Sequence, residues 1–166
     1  YQWNWDSGFT ALGIWHFNKW RAWLEIMALL DAQWQNGMIP HIVFRHNDPD
    51  YFPGPAIWDT KTEPPTSGHS QPPVLASIIW RIVQMGTEYD KRKAIEVFPK
   101  LMAYHRWFAS ARDPQGTGVI GTGPRRGGFQ IPIGFVDHDD IRHLHDAALD
   151  ALQLVPARRR QQQHEN

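Results

Sequence analysis

The sequence predicts an all-α fold of about five helices folded back as antiparallel hairpins, in an array or toroid. Three observations carry this. Apolar residues recur in steps of three and four through 5–34 and 74–110. No stretch alternates apolar and polar residues as a half-buried strand would. Between the two helical regions lies Tyr51–Pro73, YFPGPAIWDTKTEPPTSGHSQPP, whose prolines rule out a helix or a sheet interior.

The first helix is expected from Trp5 to Phe17, with Trp5, Phe9, Leu12, Gly13 and Phe17 along one face and Asp6 or Ser7 as cap. Asn18 punctuates and caps the next, Lys19 to about Trp34, where Trp20, Trp23, Leu24, Met27 and Leu30 form a stripe expected to be buried. Gln35-Asn36-Gly37 reads as its stop. Met38–Phe44 is short and apolar and reads as extended and buried. After the loop, Val74 to about Gly86 returns to helix, with Pro72 and Pro73 at its entry, where a missing N–H costs little. Asp90 is expected to cap Lys91–Ser110, with Ile95, Phe98, Met102 and Phe108 on one side and a kink or restart at Pro99. Trp15, Trp20, Trp23 and Trp80 fall at helical spacing and read as core. Asp146–Leu154 fits one more helix, and 155–166 is a polar, low-complexity tail expected to be disordered.

Composition narrows the function. At 166 residues the chain has the size of one domain. Seventeen basic and seventeen acidic side chains balance, which gives no electrostatic case for nucleic acid or an anionic membrane. No apolar run reaches the ~18–20 residues of a membrane span. The absence of cysteine suits a reducing compartment, so a cytoplasmic location is expected. Nine tryptophans are many for this length, and their flat faces suit large cores and sugar-binding surfaces alike. A stiff aromatic loop such as Tyr51–Pro73 is either a binding loop or a packed cover, and binding is the favoured reading.

Four motifs in order, WDSGF, WQNGMIPHIVF, YFPGP and TSGHSQPP, resemble glycoside hydrolase family 63 and its mannosylglycerate hydrolase and glucosidase relatives. The resemblance covers roughly Trp3 to Gly118 and implies an (α/α)6 toroid with the active site at one end of its inner ring. The chain would then be an incomplete toroid, a partial domain over 1–154 that is well matched to 118 and divergent from 119. Carried over by motif, the resemblance assigns Trp5, Asp6 and Gln71 to the sugar pocket, Tyr51 and Phe52 to its aromatic loop, and His41 to the GMIPH segment beside it. The chemistry agrees: a carboxylate binds vicinal hydroxyls, an amide both donates and accepts, and a ring covers the C–H side of a pyranose. The structural alternatives are an N-cap for Asp6, a loop brace for Gln71 and a satisfied buried imidazole for His41.

After Gly118 the family's HPWESG element is absent, and if HDAAL stands in place of WDAAL the general acid aligns with Asp140. Asp137 and Asp139 remain alternatives. The opposed base lies, in the family, beyond the end of this sequence. The run DHDDIRHLH matches no metal-ligand spacing, and a solvated turn accounts for it better, so neither metal nor cofactor is expected. The expected partners are a small carbohydrate and either the rest of the domain or a second copy of the chain. The leading reading is part of an inverting α-glycosidase. Its rivals are a carbohydrate-binding or vestigial protein without chemistry, and a purely structural piece of a helical array.

Overall fold

The computed structural model describes residues 1–46 and 48–114. Strand β1 (Gln2–Trp3) leads into helix α1 (Asn4–Trp15), then α2 (Lys19–Asp31), strand β2 (Ile42–Val43), the single turn α3 (Pro55–Trp58), α4 (Leu75–Met85) and α5 (Glu88–Trp107), which ends in a wider π-type turn, Phe108–Arg112. The long helices form two antiparallel hairpins, α1/α2 and α4/α5. Hairpin meets hairpin where α1 packs on α4 and α2 on α5. The sheet is minimal: β1 pairs antiparallel with β2, Gln2 opposite Val43 and Trp3 opposite Ile42.

Most element boundaries follow the local chemistry. Asn18 Oδ1 accepts from the Arg21 N–H at 2.9 Å, which starts α2 as expected. Gly37 has φ +96°, and a Cβ there would collide with the Ala103 carbonyl oxygen. Only glycine lets the chain turn that closely against α5. Met38, Ile39, Ile42, Val43 and Phe44 are buried, in line with the extended apolar reading.

Other expectations are corrected. The residue before α1 is Trp3, which makes no side-chain cap bond, and Asp6 lies inside the first turn. Helix α5 begins at Glu88, so Asp90 is not its cap. Thr87 is, and Asp90 completes a capping box three residues on. Pro99 does not restart the helix, which runs through it without a break. It sits on the exposed side, where water can replace the bond its ring removes.

The buried faces also differ from the predicted stripes. Helix α1 buries Asn4, Ser7, Gly8, Ala11 and Trp15. Phe9, Phe17 and Trp20 are instead 56%, 92% and 62% exposed, so Trp20 is not core. Helix α5 buries Ala94, Val97, Leu101, Tyr104 and Trp107; of the predicted Ile95/Phe98/Met102/Phe108 side only Phe108, in the turn that follows, is fully buried. Close packing explains the choice of face. A Cβ on Gly8 would meet Ile78 Cδ1 at 2.7 Å, so Gly8 is turned toward α4 while the rings of Trp5 and Phe9 stay exposed.

Asp90 clamps three helices. It is fully buried; its Oδ1 accepts from the indole N–H of Trp15 on α1 at 2.8 Å and of Trp23 on α2 at 3.0 Å. Its Oδ2 accepts from the Thr87 amide at 2.8 Å and hydroxyl at 3.1 Å, with Lys19 Nζ 3.6 Å away. Burial acts to raise the carboxyl's pKa. The bonds from Thr87, Trp23 and Trp15 outweigh it and hold the group below the usual carboxylate range.

Because the folded pKa is lower than the unfolded one, the stabilisation is complete above pH ~4 and is lost as pH falls through the folded value. Asp90→Asn is expected to cost about 2–3 kcal/mol at pH 7. Denaturant midpoints of parent and variant should converge in acid. Equal midpoints at pH 7 would rule out the clamp.

Candidate functional site

A helix start leaves backbone N–H groups without intrahelical partners, and α1 solves this with distant chain. The Asn4 N–H donates to the His41 carbonyl at 2.9 Å. The Trp5 N–H donates to Gln71 Oε1 at 2.9 Å, across 66 positions of sequence. Gln71 thus braces the loop as the structural alternative expected, and the same bond sets it beside Trp5 and Asp6. Its Nε2 makes no hydrogen bond among the described residues.

The loop is held along the same end. Residues 65–69 run beside 41–44, with Phe44 N–H donating to Pro65 O, Ser67 N–H to Ile42 O and His41 N–H to His69 O. Below them lies a buried polar chain: Asn4 Nδ2 donates to the Tyr104 hydroxyl at 3.1 Å, Tyr104 and Ser70 hydroxyls lie 2.5 Å apart, and Ser70 Oγ donates to Ile39 O at 2.6 Å. Burial pushes the Tyr104 phenol well above its ordinary pKa, so it stays neutral and serves as a hydrogen-bond relay.

Asp6 is exposed in the first turn of α1, where the helix dipole favours a carboxylate, and Trp5 beside it is 39% exposed. His41 is half-buried, with its ring 4.9 Å from Trp3 in an edge contact. Burial lowers its pKa, the neighbouring His69 lowers it further, and the Asp6 carboxylate acts to raise it. The imidazole is therefore neutral at pH 7 and offers one donor and one acceptor. Tyr51 packs into an aromatic group with Tyr1 at 4.3 Å, Phe44 at 6.0 Å and Trp3 at 6.4 Å. Phe52 stays outside it, 80% exposed. Asp140 lies outside the described residues, as do its two alternatives.

Trp5, Asp6, His41 and Gln71 therefore meet at one end of the hairpins, with Tyr51 on the flank and Phe52 apart. Trp3 and His69 join them without having been singled out for the site. Of these, His69 lies in the TSGHSQPP motif, whereas Trp3 stands two residues before WDSGF and is outside the quoted motifs. A cavity of about 510 Å³ lies elsewhere, between the end of α2 and loop 60–64, and no candidate residue lines it. Among the described residues there is no group of three or more side chains able to hold a metal, and no helix is long and apolar enough to cross a membrane.

Comparison with known proteins identifies this arrangement. The sequence matches the mannosylglycerate hydrolase MGH1-like glycoside hydrolase domain over residues 1–162. The chain belongs to that family. Mannosylglycerate hydrolase MGH1 of Selaginella moellendorffii is 47% identical over 127 residues, 74% of this chain and 26% of that protein. Glucosylglycerate hydrolase of Mycolicibacterium hassiacum is 42% identical over 134 residues, 72% of this chain and 30% of its own length. The crystal structure of the family 63 mannosylglycerate hydrolase of Thermus thermophilus with Tris superposes with a TM-score of 0.68 at 45% identity, over 72% of this chain and 29% of that one. The same enzyme has been solved with glucose. The two hairpins are thus part of an (α/α)6 toroid, and the chain spans under a third of the length of these relatives.

Two measurements probe the site. Gln71→Leu is expected to lower stability by ~1 kcal/mol, the usual cost of a lost helix cap, whereas Gln71→Glu keeps an acceptor for the Trp5 N–H and recovers most of it. Equal urea midpoints for the two variants would show that the cap is unimportant. In Asp6→Asn the His41 titration midpoint, followed by NMR, should fall further, because the carboxylate that raises it is gone. An unchanged midpoint would separate the two residues.

Proposed function

We propose that this chain is a segment of an inverting glycoside hydrolase acting on α-linked mannosyl or glucosyl compounds of the mannosylglycerate type, and that it works in the cytoplasm, as its cysteine-free composition suits. The observation that carries the reading is the convergence of Asp6 and the Gln71 amide at the α1 start, beside the exposed Trp5 ring. In this role Asp6 accepts from sugar hydroxyls, Gln71 Nε2 donates to a hydroxyl or a carboxylate, and Trp5 covers an apolar sugar face. His41 supplies a neutral donor and acceptor, Tyr51 flanks the site, and the exposed Phe52 would reach a sugar only from the open tip of the loop.

Inverting hydrolysis needs an acid at the leaving oxygen and a base for water on the opposite face, their carboxyls ~6.5–9.5 Å apart. Of the cluster's members only Asp6 is a carboxylate. Asp140 is the proposed acid, and the base comes from a part of the domain beyond this chain. A second reading, sugar binding without turnover, draws on that single carboxylate.

The test gives purified chain mannosylglycerate and small α-glucosides, with sugar release and tryptophan fluorescence as separate readouts. The expected result is no steady release, since loss of one acid–base partner alone costs ~10²–10⁴-fold. A fluorescence change that Asp6→Ala weakens should accompany it. Steady release abolished by Asp140→Asn would mark the chain as a complete enzyme. Silence in both readouts would leave a structural role.

A further inference from the structure

Sugar binding at the start of α1 depends on where Gln71 sits, and its own neighbours offer little to fix it. Pro72 and Pro73 follow directly and have no N–H to donate. The Gln71 carbonyl is held instead from α5. The Tyr104 hydroxyl donates to it at 2.8 Å, closer than Ser70 Oγ at 3.3 Å. Tyr104 is fully buried, with its ring stacked on Trp107 at 6.3 Å and edge-on to Phe108 at 4.9 Å. The place of its oxygen is therefore set by the helical core and not by the loop it meets.

A phenol has one proton to donate and lone pairs that accept. Tyr104 accepts from Asn4 Nδ2 at 3.1 Å, which also lies 3.4 Å from the Ile39 carbonyl. Ser70 commits its own proton to that carbonyl at 2.6 Å, so the 2.5 Å contact between Ser70 and Tyr104 draws on the phenol proton. The single proton is thus shared between Ser70 Oγ and the Gln71 carbonyl. One oxygen of α5 fastens two consecutive loop residues and the first residue of α1. The Gln71 side chain then closes the circuit at the Trp5 N–H.

We propose that Tyr104 is a positioning residue for the candidate sugar site: its hydroxyl holds the Gln71 backbone so that the side-chain amide meets the Trp5 N–H and is presented beside Asp6. The ligand half of this role rests on the sugar-binding reading; the placement of Gln71 is measurable without any ligand.

The test follows amide hydrogen exchange of the full chain by NMR. In Tyr104→Phe the Trp5 amide should exchange roughly tenfold faster, the effect of one lost hydrogen bond, while interior α1 amides such as Ala11 keep their parental rates. In Ser70→Ala the phenol proton goes wholly to the Gln71 carbonyl, so Trp5 should stay protected. A network that merely fills the core would loosen in both variants. Mannosylglycerate binding, read by tryptophan fluorescence, is the second arm. Tyr104→Phe should weaken it roughly tenfold in the parent and leave it unchanged in Gln71→Ala, where no side-chain amide remains to be positioned. The proposal is overturned by a parental Trp5 rate in Tyr104→Phe, by equal acceleration of all α1 amides, or by a Ser70→Ala variant that exposes Trp5 as Tyr104→Phe does. Should Tyr104→Phe not fold, Ser70→Ala alone decides. A parent chain that ignores mannosylglycerate would defeat the sugar reading, with the exchange arm still deciding whether Tyr104 places Gln71.

Discussion

The start of α1 is the constraint on which the described structure depends. Buried N–H groups have to be met, and the indole at Trp3 offers no acceptor. The acceptors come instead from the approach to β2, through the His41 carbonyl, and from the far side of the loop, through Gln71. Two prolines follow Gln71 directly, so the contact that caps α1 also sets where α4 can begin. Tyr104 brings α5 to the same place by way of Asn4 and Ser70. One helix terminus thus organises the loop, the small sheet and the second hairpin.

The opposite end of α1 is held as firmly by different chemistry. Trp15 and Trp23 each bury an indole and direct its N–H at one carboxylate oxygen of Asp90. A buried carboxylate is costly unless its lone pairs are filled, and here they are filled from three helices. With both ends anchored, α1 cannot roll. Gly8 faces α4, and Trp5, Asp6 and Phe9 stay exposed.

The loop that divides the chain is both cover and candidate binding element. Its 65–69 stretch behaves almost as a third strand, bridging Thr66 to Val43, and Tyr51 is packed among rings. Its tip is open, with Phe52 and Ile57 exposed. Proline stiffness lets one segment be fastened at two places and still present apolar side chains between them.

The four long helices, their hairpin order and the Asn18 cap were legible in the sequence, because they follow from local periodicity and short polar side chains. The turn α3 inside the proline-rich loop was not, and Asp146–Leu154 lies outside the described residues. The motifs also named Trp5, Asp6, His41 and Gln71, and these residues are neighbours at the start of α1. The buried faces were not legible. In α1 the spacing favoured the Phe9/Phe17 face and in α5 the Ile95/Met102 face, yet helix–helix approach buried Gly8, Ala11 and Trp15 of the one and Ala94, Val97, Leu101 and Tyr104 of the other. The true N-cap partner of α1 was equally hidden, since its acceptor is supplied from position 71. Sequence alone therefore determined which segments are helical and which polar residues are available. Only the tertiary structure decided which face each helix buries and which residue completes its terminus, because both depend on how closely two backbones can approach and not on the order of residues along either one.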